Sequence, residues 1–503
     1  MERFSRVLVI NPPSPPGFVS NKDSMGGFGQ LFPPGATYMP PLDMVYLASF
    51  LTEKQVPVEV LECLGMELDL AHLTAAAARA CGGEAEGRVL AVVRTSTPTL
   101  DWDLSVCAAL KAQTAGLRLA ICGAVVTHVA QRIQETGAVD YLVRGEPDDV
   151  VYELVQGRAL ATIPGLTYLG TAGWVENPPR LFDKNLDRLP FPKWELFPYT
   201  RYQLPKSSTH GRVAFLPMIT SRGCPVGCHY CPYPVGQGGV FRYRTAQNVV
   251  DEMEHLAHDL GVQYILFRDP IFSLNQRRVL EICNEIQRRG LTIEWKCETR
   301  VDCLREETVR AMAQAGCTGI NFGIESAEVE IQANSGRKPI TQEEFIATVR
   351  LCHELGISTF GFFIIGLPGD TADTILDSIK FAIDVRTNWV QFTAASPLLG
   401  TKLRDWAISN GYVPEHEQDY VNSYRVMMGN ENLSKEQVNG LLHFAQFIGT
   451  NFINRRGILK DTHAGTRVYR LGRQMADALT YRTAQVIYAL GRWYFARRLA
   501  AEA

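Results

Sequence analysis

Apolar and polar positions follow two different spacings along the first third of the chain. Short apolar runs predict buried strands at residues 7–10, 58–61, 89–93, 117–122 and 141–143. The segments between these runs, for example residues 44–52 and 104–113, have the apolar spacing of helices. Strands that alternate with helices predict a doubly wound parallel sheet, which we assign to residues 1–158. Ligands of such sheets lie at the carboxyl ends of the strands.

The rest of the chain divides into three further segments. Residues 159–205 are rich in proline, which interrupts helices and central strands, and they predict an ordered linker with a small hairpin. Residues 206–408 repeat the strand–helix alternation, and within them Thr341 and Glu344 have the spacing of a capping box at a helix start. Residues 409–503 are mostly helical in pattern and become basic. The chain is therefore expected to have an α/β fold with a helical carboxyl-terminal segment.

Composition narrows the class of protein. The chain has 503 residues and a formal net charge of −3, which gives no reason to expect nucleic acid as a partner. The start lacks the apolar core of a signal peptide, and no apolar run reaches the ~18 residues of a spanning helix, so we expect a cytoplasmic protein. Thiols stay reduced in that compartment, and the 12 cysteines are not expected to form a disulfide framework.

Three cysteines depart from the scattered pattern of the others. Cys224, Cys228 and Cys231 lie in a loop that contains glycine and proline and follows a predicted strand. Thiolates are soft ligands that suit an iron-sulfur cluster or zinc. A structural zinc site needs four ligands, and His229, which would have to be the fourth, lies inside the tight loop between two of the cysteines. A cluster is the favoured interpretation, and buried thiols or a zinc site are the alternatives.

The triplet, with the aromatic Tyr230 before its last cysteine, resembles the signature of the radical SAM superfamily, whose members cleave S-adenosylmethionine (SAM). Later segments resemble the family in the same order, at residues 267–272, 298–300, 321–326, 363–369 and 396–401. The resemblance implies a partial (β/α)6 barrel of the TIM type, with a 4Fe-4S cluster on the loop after its first strand. It also implies that the open iron of the cluster binds SAM, close to Tyr230.

Five further residues are candidates for contacts with SAM. The resemblance assigns the SAM ribose to the segment that contains Glu325 and Ser326, and a carboxylate accepts two hydroxyl groups better than a serine does. Arg300 would pair with the SAM carboxylate, unless it forms an ion pair within the barrel. Gly366 would let the backbone approach the adenine, or it simply forms a turn. Asp269 would face the same barrel mouth, with no acid–base role assigned.

The sheet at residues 1–158 resembles the cobalamin-binding domain that precedes one subclass of radical SAM enzymes. The resemblance implies cobalamin contacts in the loops at the strand ends, from Thr95, Ser96, Thr97, Gly123, Gly145 and Glu146. The threonines and the serine would bind the corrin amides or cobalamin's own base, displaced from the cobalt. Helix capping explains these three residues equally. The chain lacks the Asp-x-His-x-x-Gly pattern of domains that ligate cobalt through histidine. A dinucleotide-type fold without this ligand is the alternative.

The resemblance implies an enzyme that transfers a methyl group to an unactivated carbon, by way of a 5'-deoxyadenosyl radical and methylcobalamin. The alternative is a cobalamin-dependent cyclase or rearrangement enzyme acting on a tetrapyrrole, a lipid or a secondary metabolite, because the tetrapyrrole cyclase and hopanoid branches look similar. A sensor protein would leave the SAM segments unexplained. We expect a small-molecule or lipid substrate and an electron donor of the reductase, flavodoxin or ferredoxin type.

The carboxyl-terminal residues 451–498 combine arginines with aromatic residues. Such a composition is typical of a helix on an anionic membrane surface. It is equally typical of a helix that packs on the barrel and turns a basic face to solvent. Both interpretations remain open from the sequence alone.

Overall fold

The computed structural model describes residues 3–36, 39–82, 89–202, 215–416, 420, 422–455 and 467–502, with side chains in the last helix described for residues 477–498. The helix and strand bounds given below refer to this part of the chain.

The front domain is built on a parallel sheet. Its strands and the short hairpin beside them are β1 (Arg6–Asn11), β2 (Val19–Asn21), β3 (Gln30–Phe32), β4 (Val58–Glu62), β5 (Val89–Arg94), β6 (Leu117–Cys122), β7 (Tyr141–Val143), β8 (Leu166–Gly170) and β9 (Gly173–Glu176). The order in the sheet is β4-β1-β5-β6-β7-β8-β9. The first five strands in this order are parallel to one another. The predicted parallel sheet is confirmed.

Helices cover both faces of this sheet. They are α1 (Leu42–Glu53), α2 (Leu70–Cys81), α3 (Leu100–Gln113), α4 (Ala130–Thr136) and α5 (Pro147–Val155). The strands are apolar without alternation because both faces are buried, so that Val7 and Val9 enter one core while Leu8 and Ile10 enter the other. The proline-rich stretch that follows contains the β8–β9 hairpin, which extends the sheet because β8 pairs antiparallel with β7.

The second strand–helix alternation forms an open barrel. Its strands are β10 (Phe215–Met218), β11 (Ser221–Arg222), β12 (Arg242–Tyr243), β13 (Tyr264–Phe267), β14 (Glu294–Thr299), β15 (Cys317–Glu325), β16 (Ser358–Ile365) and β17 (Trp389–Ala394). The strands β10-β13-β14-β15-β16-β17 pair in parallel in that order, and β11 and β12 form a separate two-stranded ribbon. The predicted partial (β/α)6 barrel is therefore confirmed.

The barrel helices lie outside these strands. They are α6 (Tyr233–Gln237), α7 (Ala246–His258), α8 (Gln276–Arg289), α9 (Glu306–Gln314), α10 (Val329–Asn334), α11 (Gln342–Glu354) and α12 (Ala372–Asp384). The predicted capping box is present, because Thr341 and Glu344 each accept a hydrogen bond from the other's backbone amide. Stacked aromatic rings fill the core beside β13 and β14, with the Phe267 and Phe272 centroids 4.9 Å apart.

The carboxyl-terminal region is helical, as predicted. It consists of α13 (Lys402–Ser409), α14 (Lys435–Ile448), a π-helical turn (Gly449–Ile453) and α15 (Arg467–Glu502). Among the described helices, none is both long and apolar enough to cross a membrane.

Candidate active site

The three cysteines of the triplet lie on the loop that leads from β11 to α6. The loop begins at Gly223, which has a φ of 80° and where a Cβ would collide with a neighbouring backbone oxygen. The Cys224 amide donates to the Gly238 carbonyl at 3.1 Å, and the Cys231 amide donates to the Cys228 carbonyl at 3.1 Å. The loop is thus folded back on itself, and its thiols are close enough for each charge to affect a neighbour's pKa.

Two arginines face this loop. The Arg300 Nη1 lies 3.9 Å from the Cys228 Sγ. Burial raises the pKa of the Cys224 and Cys228 thiols, and the charges of Arg300 and Arg337 act against that rise. Cysteine binds metal as the thiolate, so these cations favour the form that binds. Three soft donors beside two cations fit an iron-sulfur cluster.

His229 was the alternative fourth ligand for zinc. Its ring packs against Gly336, where a Cβ would lie 2.8 Å from the ring, and its backbone amide donates to the Ser335 carbonyl at 2.9 Å. Over the described residues, no three His, Cys, Asp or Glu side chains are grouped so as to hold a single metal ion. The position of His229 favours the cluster over the zinc alternative.

Glu325 ends β15 at the mouth of the barrel and is buried with Arg337. The Arg337 Nη1 donates to the Glu325 Oε1 at 2.8 Å and to the Tyr230 hydroxyl at 3.0 Å, and its Nη2 donates to the Gly323 carbonyl at 2.8 Å. Burial raises the pKa of Glu325, while Arg337, Tyr230 and Arg300 act in the opposite direction. The structure therefore brings Tyr230, Arg300 and Glu325 together beside the cysteine loop.

The backbone of Glu325 is unusual. Its φ of 68° lies in the left-handed region, and the pairing of β15 with β16 shifts register between Gly323 and Glu325. A bulge of this kind turns a side chain away from the direction that a regular strand would give it. Left-handed conformations of residues other than glycine are concentrated at functional sites.

Asp269 has partners that the sequence did not indicate, whereas Arg300 forms the ion pair that was its alternative. Asp269 is fully buried and accepts hydrogen bonds from the Thr220 amide and the Ser221 hydroxyl, both at 2.7 Å, and from the Thr220 hydroxyl. Its contacts fix the residues just before the cysteine loop. Arg300 donates to both carboxylate oxygens of Asp302, at 2.8 and 3.0 Å, so the barrel ion pair is present while the Nη1 still faces Cys228.

Ser326 and Gly366 contact the helical layer. The Ser326 hydroxyl lies 3.3 Å from the Ser378 hydroxyl on α12. Gly366 has a φ of 87°, and a Cβ there would lie 2.8 Å from a methyl group of Val438 on α14. Its amide donates to the carboxylate of Asp370 at 3.0 Å, and burial raises the pKa of that carboxyl to about 7. The structure thus places Gly366 in a turn beside α14.

A cavity lies where the front sheet meets the barrel. We call it the interdomain cavity. Charged residues line it together with small residues from both sides, which are Gly26, Gly27, Gly123, Ala124, Gly145 and Gly236. The barrel side of the wall includes Tyr233 and Gly236 of α6, the helix that begins two residues after Cys231. The cysteine loop and the cavity therefore adjoin through one short helix.

Glu146 also lines the interdomain cavity, and it joins the two domains. Its carboxylate lies 2.8 Å from the Arg242 guanidinium and 3.2 Å from that of Arg222. Burial alone would raise the pKa of Glu146, but the two arginines together lower it. Gly145 and Glu146 thus lie at the predicted edge of the sheet, and the glutamate is held by the barrel.

The segment that contains Phe28 and Gly29 covers Thr95, Ser96 and Thr97. The Thr97 amide donates to the Phe28 carbonyl at 2.9 Å, and a Cβ at Gly29 would collide with the Ser96 side chain. The Ser96 and Thr99 hydroxyls are 2.8 Å apart. From the end of β5 it is Arg94 that reaches the cavity wall. The structure therefore does not bring these three hydroxyls to the cavity.

Two residues near the site were not found from the sequence. Arg337 binds Glu325, as described above. Lys22 is buried in the front domain, where its ammonium donates to the Arg94 carbonyl and to the Asp103 carboxylate, both at 2.7 Å. Burial lowers the pKa of Lys22, and Asp103 acts against that change. Neither residue belongs to a spacing pattern, so the sequence held no signal for them.

Residues 218–382 match the sequence model of the radical SAM superfamily. The chain contains a radical SAM domain. An uncharacterised methyltransferase from Pyrococcus horikoshii is 29% identical over 427 residues, which are 84% of this chain and 90% of that protein. An anaerobic magnesium-protoporphyrin IX monomethyl ester cyclase from Rubrivivax gelatinosus is 30% identical over 277 residues, which are 52% of this chain and 48% of the cyclase.

Solved structures resemble the enzyme beyond its radical SAM domain. The radical SAM methyltransferase TsrM from Kitasatospora setae, solved with cobalamin and a 4Fe-4S cluster, has a TM-score of 0.65 at 20% identity and covers 82% of this chain and 75% of its own. The cobalamin-dependent SAM radical enzyme OxsB, solved with aqua-cobalamin, has a TM-score of 0.71 at 14% identity and covers 97% of this chain and 72% of its own. The radical SAM enzyme thus shares their fold.

We predict that anaerobic reconstitution loads one 4Fe-4S cluster and that Cys224→Ala, Cys228→Ala and Cys231→Ala each abolish it, because each removes one of three thiolate ligands. Iron and sulfide analysis with the absorption spectrum measures the outcome. Cys303→Ala is the matched control, since this half-buried cysteine lies outside the loop. Full iron content in the triple variant would contradict the assignment.

We predict that Glu325→Ala weakens SAM binding by about 1.5–3 kcal/mol, the range for hydrogen bonds to a charged group. The measurement is equilibrium binding of SAM to the reconstituted enzyme. Glu330→Ala, an exposed change on α10, should leave the affinity unaltered. An unchanged affinity in Glu325→Ala, with the cluster still loaded, would show that the ribose contact lies elsewhere.

Proposed function

We propose that this radical SAM enzyme binds cobalamin in the interdomain cavity and transfers a methyl group to an unactivated carbon of a small-molecule or lipid substrate. The observation that carries the proposal is the contact between the cavity wall and the cysteine loop through α6. A radical source and a methyl carrier have to act on one substrate, so their sites must adjoin.

Cys224, Cys228 and Cys231 would hold the cluster, and Glu325, Tyr230 and Arg300 would hold SAM against it. A bound cluster with an open iron supplies the electron that cleaves SAM to a 5'-deoxyadenosyl radical. The guanidinium of Arg300 can pair with the SAM carboxylate while Asp302 keeps it in place. Asp269 is assigned as a positioning residue for the loop, and Ser326 and Gly366 as packing residues.

The interdomain cavity offers candidate contacts to cobalamin at the strand ends of the front sheet. At Gly145 nothing lies within 4 Å of the Cβ position, so a ligand can approach the backbone there. Gly123, Gly145 and Glu146 are assigned as contacts, and Arg94 replaces the predicted hydroxyls at the end of β5.

We also propose a domain division at residues 1–158, 159–205, 206–408 and 409–503. Cobalamin would belong to the first unit, and the cluster and SAM to the third. A reductase, flavodoxin or ferredoxin would supply electrons in a reducing cytoplasmic compartment, because the reductive cleavage of SAM consumes one electron.

Cyclisation or rearrangement is the second candidate function. It is favoured by the 30% identity to the magnesium-protoporphyrin cyclase, whereas the match to the Pyrococcus horikoshii methyltransferase spans more of the chain. A cyclase needs the radical but leaves the methyl group of SAM in place, so the two functions differ in stoichiometry.

We predict that the full chain binds hydroxocobalamin with a base-off spectrum and that Gly145→Asn weakens this binding about ten-fold, within the ~1–3 kcal/mol that overpacking costs. Gly145 has a φ of 79° and open space around its Cβ position, and asparagine tolerates that backbone. Gly137→Asn is the matched control, because Gly137 has a φ of 62° and is exposed on the front domain. A base-on spectrum would contradict the assignment.

We predict that methyl transfer consumes two SAM for each product, giving one S-adenosylhomocysteine and one 5'-deoxyadenosine, because one SAM donates the methyl group and the other the radical. Anaerobic turnover with methyl-labelled SAM and the substrate measures both. Label in the product supports methyl transfer. Label absent from the product, with 5'-deoxyadenosine formed and no S-adenosylhomocysteine, would move the enzyme to the cyclase class.

A further inference from the structure

The outer face of α15 carries a stripe of exposed apolar side chains. We call it the α15 stripe, and its members are Leu479 (68% exposed), Val486 (59%), Leu490 (60%) and Trp493 (57%). They follow one another at intervals of seven, four and three residues, which places them in one line along a helix. Isolated exposed apolar residues are ordinary, but a continuous line of four large ones marks an interaction surface.

The opposite face of α15 is already used. Ala484 and Tyr488 are buried, and the Phe495 ring lies 5.7 Å from the ring of Phe444 on α14. Arg492 is 2.8 Å from Asp377 on α12. The helix therefore packs on its neighbours over residues 484–495, and the stripe faces away from them.

The charges along the stripe are mainly positive, although Asp477 precedes Leu479 by two residues. Residues 478–501 contain four arginines and no aspartate or glutamate. Arg492 is taken up by α12, whereas Arg482, Arg497 and Arg498 are exposed on the outward side. The Arg497 guanidinium lies over the Trp493 ring at 4.3 Å, so cation and aromatic ring are presented together. Apolar residues flanked mainly by cations match a surface that offers both hydrocarbon and negative charge.

A lipid surface with anionic headgroups offers both hydrocarbon and negative charge. Tryptophan and tyrosine lie at the level of the headgroups, and arginines pair with phosphates. A second copy of the chain fits less well, since pairing along the stripe would bring Arg482 and Arg497 close to the same cations of the other copy. The stripe has no carboxylates to neutralise them, and like charges at such distances destabilise pairing.

We propose that α15 docks the enzyme on an anionic membrane surface, with the helix axis parallel to the membrane plane and the α15 stripe inserted among the headgroups. This inference does not depend on the reaction that the enzyme catalyses. It gives the basic and aromatic carboxyl-terminal segment a role that neither the cluster nor the interdomain cavity requires.

The test is sedimentation of the full-length reconstituted enzyme with vesicles of phosphatidylglycerol and phosphatidylcholine, and with vesicles of phosphatidylcholine alone. The enzyme should bind the anionic vesicles, bind the neutral ones far more weakly, and detach as salt is raised. Arg482→Gln combined with Arg497→Gln should weaken binding about 25-fold, from roughly five-fold for each cation near the surface. Leu490→Glu should abolish it.

Leu181→Glu is the matched control for Leu490→Glu, because Leu181 is a leucine that is 90% exposed outside the carboxyl-terminal region. It should bind vesicles as the unaltered enzyme does. All variants should form 5'-deoxyadenosine from SAM normally without vesicles, which shows that they are folded and loaded. Equal binding to neutral vesicles, unaltered binding in both stripe variants, or a dimer in sedimentation velocity that Leu490→Glu dissociates would each overturn the proposal.

Discussion

The buried carboxylate of Asp269 holds the segment on which the candidate chemistry depends. It accepts hydrogen bonds from Thr220 and Ser221, immediately before the cysteine loop. Ordering each ligand of a metal group costs conformational free energy, so a loop fixed by the fold binds the group more favourably than a free one. The same segment continues into α6, whose residues Tyr233 and Gly236 reach the interdomain cavity. One anchored stretch of chain therefore sets the position of the loop and of part of the cavity wall.

Buried charges join the two domains at this point. Glu146 of the front domain meets Arg222 and Arg242 of the barrel, and Asp23 lies 3.6 Å from Arg268. A buried ion pair adds little net stability, because the loss of hydration offsets most of the attraction. Removing one partner, however, leaves an unpaired charge at a cost of about 3–5 kcal/mol. These pairs therefore act chiefly on the orientation of the front domain relative to the barrel. They favour the arrangement that keeps the cysteine loop beside the cavity.

Local patterns explain which features could be predicted from the sequence. The strands of the front sheet are short apolar runs buried on both faces, and the cysteine triplet needs only its own spacing, so both were found without knowledge of the fold. The contacts of Lys22 could not be found, because its partner Asp103 is 81 residues away. The hydroxyls of Ser96 and Thr97 were assigned to the strand end correctly, but the packing of residues 22–29 over them follows from no local pattern.

Glu325 shows that the fold can hold a carboxylate in an unfavourable backbone conformation and a buried environment. A left-handed conformation at a residue other than glycine costs about 1–3 kcal/mol, and burial further disfavours the charged form. Arg337 offsets the second cost through its hydrogen bond at 2.8 Å, and it also ties Glu325 to the Tyr230 hydroxyl. A residue that served only packing would lose nothing by adopting the regular strand conformation. Glu325 keeps both unfavourable features beside the cysteine loop. This is expected if a ligand requires the carboxylate in one exact position.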